Sequence, residues 1–298
     1  MMKICYREIK FRRESLALIH KVNEIINEYI SRGYSLSLRQ VYYQLVARDI
    51  IPNTERSYKN LGTLVSDARI SGLIDWDAIE DRTRNLRGNS HWNTLGDIMY
   101  STARSFAYDK WADQDYHVEV WVEKDALVGV VGTICDQLDI SYFSCRGYVS
   151  QTEMWVAAQR LVRKYDEGKE TIIIHLGDHD PSGIDMTRDI EARLNTFESF
   201  PLVRRVALNM DQIEQYLPPP NPTKLTDTRA TSYISEFGYE CWELDALDPQ
   251  VMEQIIETNV SEFLDIKRFN AAAAREKEAK ATLRKVADHW DDIKKRYA

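Results

Sequence analysis

The segment TIIIHLGDHDPSG, residues 171–183, runs from a strand through a turn towards a helix. Residues 171–176 are an apolar run too short for a helix and read as a buried strand. Asp178, His179 and Asp180 follow its end, Pro181-Ser182-Gly183 forces a turn, and a helix is expected over residues 184–197. In extended backbone Asp178 and Asp180 point the same way. Two carboxylates converging in a small space repel each other unless a cation neutralises them. Hard oxygen ligands with few other partners suit Mg2+, with Mn2+ as the alternative, and the start of the next helix favours a phosphate. The competing reading is an acidic pair that is merely solvated. His179 alternates to the opposite side and reads as structural; His175, inside the apolar strand, reads as core.

Outward from this segment the pattern repeats. VEVWV at 118–122 is a strand followed directly by Glu123, and a helix is expected over 126–138. Further strands are expected at 141–145 and 205–208, with a helix over 151–165. Strands alternating with helices of this length predict an α/β fold, a parallel sheet with helices on both faces. Active sites of such sheets lie at the carboxyl ends of the strands, and Glu123, Asp178 and Asp180 all occupy such ends. From Leu217 the chain breaks into LPPPNPTKLTDTR and then returns to helices. The last of these, a charged run over 270–297, reads as a solvated helix or an oligomer contact.

The first 90 residues have a different grammar. Apolar positions at helical spacing predict helices over about 15–30, 38–48 and 55–71, the second capped by Ser35 or Ser37. Leu73-Ile74-Asp75-Trp76 reads as a short strand. Short helices followed by a strand hairpin are the order of a winged helix-turn-helix, a shape that serves DNA or protein contacts. On the 38–48 helix Tyr42 falls in the apolar stripe and Tyr43 on the opposite side, with Arg39 one turn earlier on the face of Tyr43. A tyrosine attacks poorly at neutral pH unless a positive charge assists it. Arg39 would supply that charge and bind phosphate; the bland alternative is a half-exposed tyrosine. The expected division is therefore a 1–90 helical unit, a 91–115 connector, a 116–215 α/β domain and a 216–298 helical region.

Composition bounds the function. Of 298 residues, 39 are Lys or Arg and 47 Asp or Glu, a net charge of -8. The balance is uneven, however: residues 1–90 carry a net +4 and the remainder -12. The first part suits an anionic partner, with Lys59 and Arg69 on the third helix as candidate DNA contacts, and the second suits a cation. No apolar run approaches the ~18 residues of a membrane span, and the first residues lack a signal-peptide pattern. The four cysteines are scattered, which reads as buried thiols in a reducing cytoplasm.

Three segments, VEKDAL at Glu123, SCRGYVSQTE around Gly147 and GDHDPSG at 177–183, resemble the signatures of a Toprim domain. The chain is most similar to the A subunit of topoisomerase VI and its meiotic break-forming relative. That family places a winged-helix domain before the Toprim domain, with an S-x-R-x-x-Y-Y-like segment that here reads Ser37-Leu38-Arg39-Gln40-Val41-Tyr42-Tyr43. The likeness covers roughly residues 35–215. It implies Mg2+-dependent DNA cleavage in which Tyr43 attacks a phosphodiester and leaves a 5′-phosphotyrosyl end. Glu123, Asp178 and Asp180 would be the metal carboxylates, and Glu123 also the acid/base for the 3′-oxygen. The family works as a homodimer, tyrosine and metal meeting across subunits. The chain is shorter than a full A subunit and has no glycine-rich nucleotide loop, so strand passage would need a separate ATPase subunit. Two alternatives remain open: a hydrolytic Toprim nuclease using metal-activated water, and a non-enzymatic DNA-binding or assembly module.

Overall fold

The computed structural model describes residues 3–79 and 89–297. The N-terminal unit consists of α1 (Arg13–Ser31), α2 (Leu38–Ala47) and α3 (Glu55–Ile70). Ser37 caps α2: its hydroxyl accepts from the Gln40 N–H while Gln40 Oε1 accepts from the Ser37 N–H, a reciprocal capping box. The three helices bury Val22, Ile25, Val41, Leu45, Leu61 and Val65 against one another. The strand expected at residues 73–76 does not form. Leu73 and Ile74 instead donate to the carbonyl of Ala68, and Asp75 caps a 3-10 turn over Trp76–Ala78. The local turn satisfies these backbone groups from within, so no ladder is needed. Any wing would extend into residues 80–88, which lie outside the described residues.

Helix α4 (Leu95–Ser105) lies in the expected connector, and then the alternation begins: β1 (Tyr116–Val122), α5 (Val128–Leu138), β2 (Ser141–Ser144), α6 (Gln151–Asp166), β3 (Glu170–Leu176), α7 (Pro181–Thr196) and β4 (Leu202–Ala207). The four strands are all parallel, in the order β2-β1-β3-β4. The α/β expectation therefore holds for this part of the chain. Side-chain alternation sorts the sheet's two faces. Val118, Val120, Val122, Ile172, Ile174 and Leu176 pack with α5, whereas Trp121 and Ile173 pack with α6 and α7.

After β4 come α8 (Met210–Tyr216), β5 (Asn221–Pro222), α9 (Ala230–Phe237), β6 (Glu240–Cys241), α10 (Pro249–Ser261), α11 (Ile266–Asp288) and α12 (Trp290–Tyr297). This region is woven into the rest of the molecule. Met252, Ile256 and Val260 of α10 join the core beside α5, and α11 packs along α4. Tyr29 and Tyr34 hydroxyls donate to Asp248 (2.5 Å) and Glu253 (2.6 Å), tying the N-terminal helices to the start of α10. Among the described residues no helix is long and apolar enough to cross a membrane.

Candidate active site at the ends of the parallel strands

The order β2-β1-β3-β4 reverses direction between β1 and β3, and the crevice at such a switch point is the usual ligand position. Pairing of Val122 with Leu176 brings Glu123 and Asp178 side by side at this point. Glu123 Oε2 accepts the Asp178 N–H at 2.8 Å. Gly177 makes that approach possible, since a Cβ there would meet Glu123 Oε2 at 3.0 Å and Arg205 at 3.2 Å. Gly183 is more constrained still: a Cβ would stand 2.2 Å from the Asp178 carbonyl oxygen. The two glycines of GDHDPSG thus serve close packing around the acids.

The helix after the acids begins at Pro181 rather than at Ile184. Pro181 is accommodated because the first helical N–H has no intrahelical partner. Asp180 is the cap, its Oδ1 accepting the Gly183 N–H at 2.7 Å and the Ser182 hydroxyl at 2.9 Å. The helix start expected to favour phosphate is thus already met by a carboxylate. His179 pairs with Trp242 by two backbone hydrogen bonds and is buried among Tyr233, Phe237 and Trp242. His175 is fully buried against the Thr187 hydroxyl. Both are structural.

Charge in this crevice is unevenly compensated. Burial, then the negative charges of Asp178 and Asp180, push the Glu123 carboxyl up to about 7. Burial raises Asp178 as well, against the pull of Lys124 and the Leu244 N–H. Arg205, which the sequence places only in a strand, lies beneath the acids and donates to the carbonyls of Gly177, Asp178, Gly183 and Leu208. Burial lowers its pKa to about 10.

The second half of the site comes from a segment to which the sequence assigned no role. Trp242-Glu243-Leu244-Asp245 crosses the strand ends. The Leu244 N–H donates to Asp178 Oδ1 at 2.8 Å. Lys124 Nζ is held by Asp178 (2.9 Å), Glu243 (2.7 Å) and Asp245 (3.2 Å). Arg39 pairs with Glu243 and, through Nε, with Asp245 at 3.0 Å. Burial tends to raise Glu243, but Lys124 and Arg39 overcome it and hold the carboxyl at about 2. Asp245 is 2% exposed, and burial pushes it up to about 6.

Tyr43 departs from expectation. It is 3% exposed, as buried as Tyr42, because the 3-10 turn Leu244–Ala246 packs on the face of α2 that the helix alone would leave open. Arg39 lies over its ring at 5.9 Å. The Tyr43 hydroxyl is nevertheless raised, by burial first and by Glu243 and Asp245 next; Arg39 pulls the other way and loses. Arg39 is spent on the two acids rather than on activating the tyrosine.

The proposed DNA contacts separate. Lys59 is exposed on α3 and pairs with Glu55 at 2.6 Å. Arg69 turns inward: its guanidinium donates to the carbonyls of Trp76 (2.8 Å) and Ile79 and stacks on Trp76. It supports the turn where the expected strand is missing and is not a free surface cation.

A divalent cation matches part of this donor set. A near-neutral Glu123 beside two further carboxylates is a cluster short of positive charge, which such an ion would supply. Yet Lys124 sits on Asp178 and Asp180 caps its helix. Among the described residues no three His, Cys, Asp or Glu side chains stand ready to grip a metal. The residues fit in chemical type and charge; ligation would require Lys124 to yield Asp178. A cavity of about 340 Å3 opens at this place, lined by Arg39, Glu123, Lys124, Arg146 and Asp245 among others. Compared with family models, curated proteins and solved structures, the chain has no match.

Proposed function

We propose that this chain is a Mg2+-dependent DNA-cleaving protein of the topoisomerase VI A-subunit type. The observation that carries the proposal is the approach of Glu123 to Asp178 at the sheet's switch point, where burial and the charges of Asp178 and Asp180 raise the Glu123 carboxyl to about 7. Glu123, Asp178 and Asp180 would hold the ion, which when bound supplies charge stabilisation on the phosphoryl oxygens. In the step itself the Tyr43 hydroxyl gives its proton to solvent water, and Oη bonds to phosphorus as the bond to O3′ breaks. The products are a 5′-phosphotyrosyl end and a 3′-hydroxyl, the latter receiving its proton from Glu123. A homodimer belongs to this reading, since the tyrosine of one subunit would work over the acids of the other, and strand passage would need a separate ATPase subunit.

The burial of Tyr43 favours a second reading, in which water attacks the same phosphodiester over the same acids and Tyr43 only packs. Incubation with supercoiled plasmid and Mg2+ or Mn2+, resolved on denaturing gels with and without protease, tests both. Protein-linked ends are expected. Breaks without them transfer the nucleophile to water, and no breaks at all remove the cleavage proposal.

A further inference from the structure

The cations that face the cavity are not free. Lys124 and Arg39 come from different units of the fold, one after β1 and one on α2. Two carboxylates of a third segment lie between them. A single Glu243 oxygen, Oε2, meets both Lys124 Nζ and Arg39 Nη2, and Asp245 places one oxygen on each cation, 3.2 Å from Lys124 and 3.0 Å from Arg39 Nε. Planar oxygens bridging a guanidinium and an ammonium reproduce how a phosphate diester is gripped. Three features separate this from an ordinary ion pair. Arg39, Lys124 and Asp245 line a cavity of about 340 Å3. Asp245 Oδ2 is buried and makes no hydrogen bond of good geometry despite its nearby cation. The same two acids face Tyr43 and oppose its ionisation.

We propose that Glu243 and Asp245 are an internal stand-in for a DNA backbone phosphate: they occupy the Arg39–Lys124 seat, and DNA enters only when they are displaced. The inference rests on the DNA reading above and adds to it the identity of the seat and of its occupant. Displacement of the two carboxylates frees Lys124 from Glu243 and Asp245 and frees Arg39. Glu243 is the more accessible of the two, its side chain about a quarter exposed, against 1% for Asp245. The position of residues 242–247 is otherwise secured by the Trp242–His179 backbone pair and the Leu244–Asp178 hydrogen bond, which leave the two acidic side chains separately removable.

The test is duplex binding without divalent metal, by fluorescence anisotropy from about 50 to about 200 mM salt. Glu243→Gln and the pair Glu243→Gln/Asp245→Asn are compared with the unaltered protein, with thermal unfolding as the check on folding. Freeing two cations is expected to tighten binding about tenfold at low salt and to steepen the slope of log K against log salt by about 1 to 2. Adding Arg39→Gln and Lys124→Gln is expected to remove that gain. If the unaltered protein binds duplex and the folded variants bind with the same affinity and slope, the stand-in is overturned while the DNA reading remains. If none of the proteins binds at low salt, both fall; if only the variants bind, both are supported. Should the double variant not fold, Glu243→Gln decides by the same two quantities.

Discussion

Strand β1 and the residue that follows it carry two buried glutamates, four residues apart, with opposite fates. Glu119 is 1% exposed, and its carboxylate is surrounded by donors: Arg160 through Nε (2.7 Å) and Nη2 (2.9 Å), Trp121 Nε1 (2.9 Å) and His117 (3.0 Å). Burial alone would raise it, but the Arg160 and His117 hydrogen bonds win and hold the carboxyl at about 2. Glu123, just past the strand, is 9% exposed; burial first, and the like charges of Asp178 and Asp180 next, raise it to about 7. One glutamate is a completed structural pair, the other an incomplete electrostatic arrangement. Carboxyls four residues apart driven to opposite ends of their range distinguish a structural ion pair from a candidate functional group.

The contrast has measurable consequences. The largest is in activity: Glu123→Gln and Asp178→Asn are expected to reduce Mg2+-dependent plasmid cleavage by about a hundredfold or more while the fold survives. Glu119→Gln should cleave normally at low temperature. Equal losses in Glu119→Gln and Glu123→Gln would erase the distinction. Tyr43→Phe is expected to abolish protein-linked ends, read on gels run with and without protease; undiminished cleavage would assign the attack to water.

Stability should show the reverse order. Removing the Glu119 charge leaves Arg160 partly buried without its partner and is expected to cost about 3 kcal/mol in urea unfolding. Because the folded Glu119 pKa lies below its unfolded value, its contribution is present above about pH 4.5 and is lost as pH falls towards about 2. Glu123 has the opposite sign. Its folded pKa is raised, so its contribution declines as pH climbs from about 4.5 to about 7, and Glu123→Gln is expected to be more stable than the unaltered protein at pH 8. Urea midpoints at pH 5 and 8 read this directly. The smallest effect belongs to the surface: Lys59→Ala is expected to lower the DNA salt slope by about 1 without changing stability, whereas Arg69→Ala should lower the melting temperature.

Much of the strand-end site was legible from local pattern. An apolar strand, an acid at its carboxyl end and glycines at tight turns are encoded within a few residues, so Glu123, Asp178 and Asp180 emerged together. The start of α7 was misread because Pro181 signals both a turn and a first helical position, and only the Asp180 cap decides between them. Arg205 was missed because strand alternation does not announce that a basic side chain will turn under a neighbouring strand's loop. Glu243 and Asp245 were missed because β6 and the turn after it are too short to have a period. Nothing nearby says that this segment lies over β3 and α2.

By itself the amino-acid sequence determined the parallel sheet, the order of its strands and helices, and the placement of acids where strands end. These depend on hydrophobic period and turn chemistry, which act between near neighbours in the chain. Only the tertiary structure decided which charges are neutralised, that Tyr43 is covered, that Arg69 turns inward, and that Lys124 and Arg39 share two acids from residues 242–247. Those outcomes depend on desolvation and on Coulomb interactions between groups up to about two hundred positions apart. Local pattern is blind at that range.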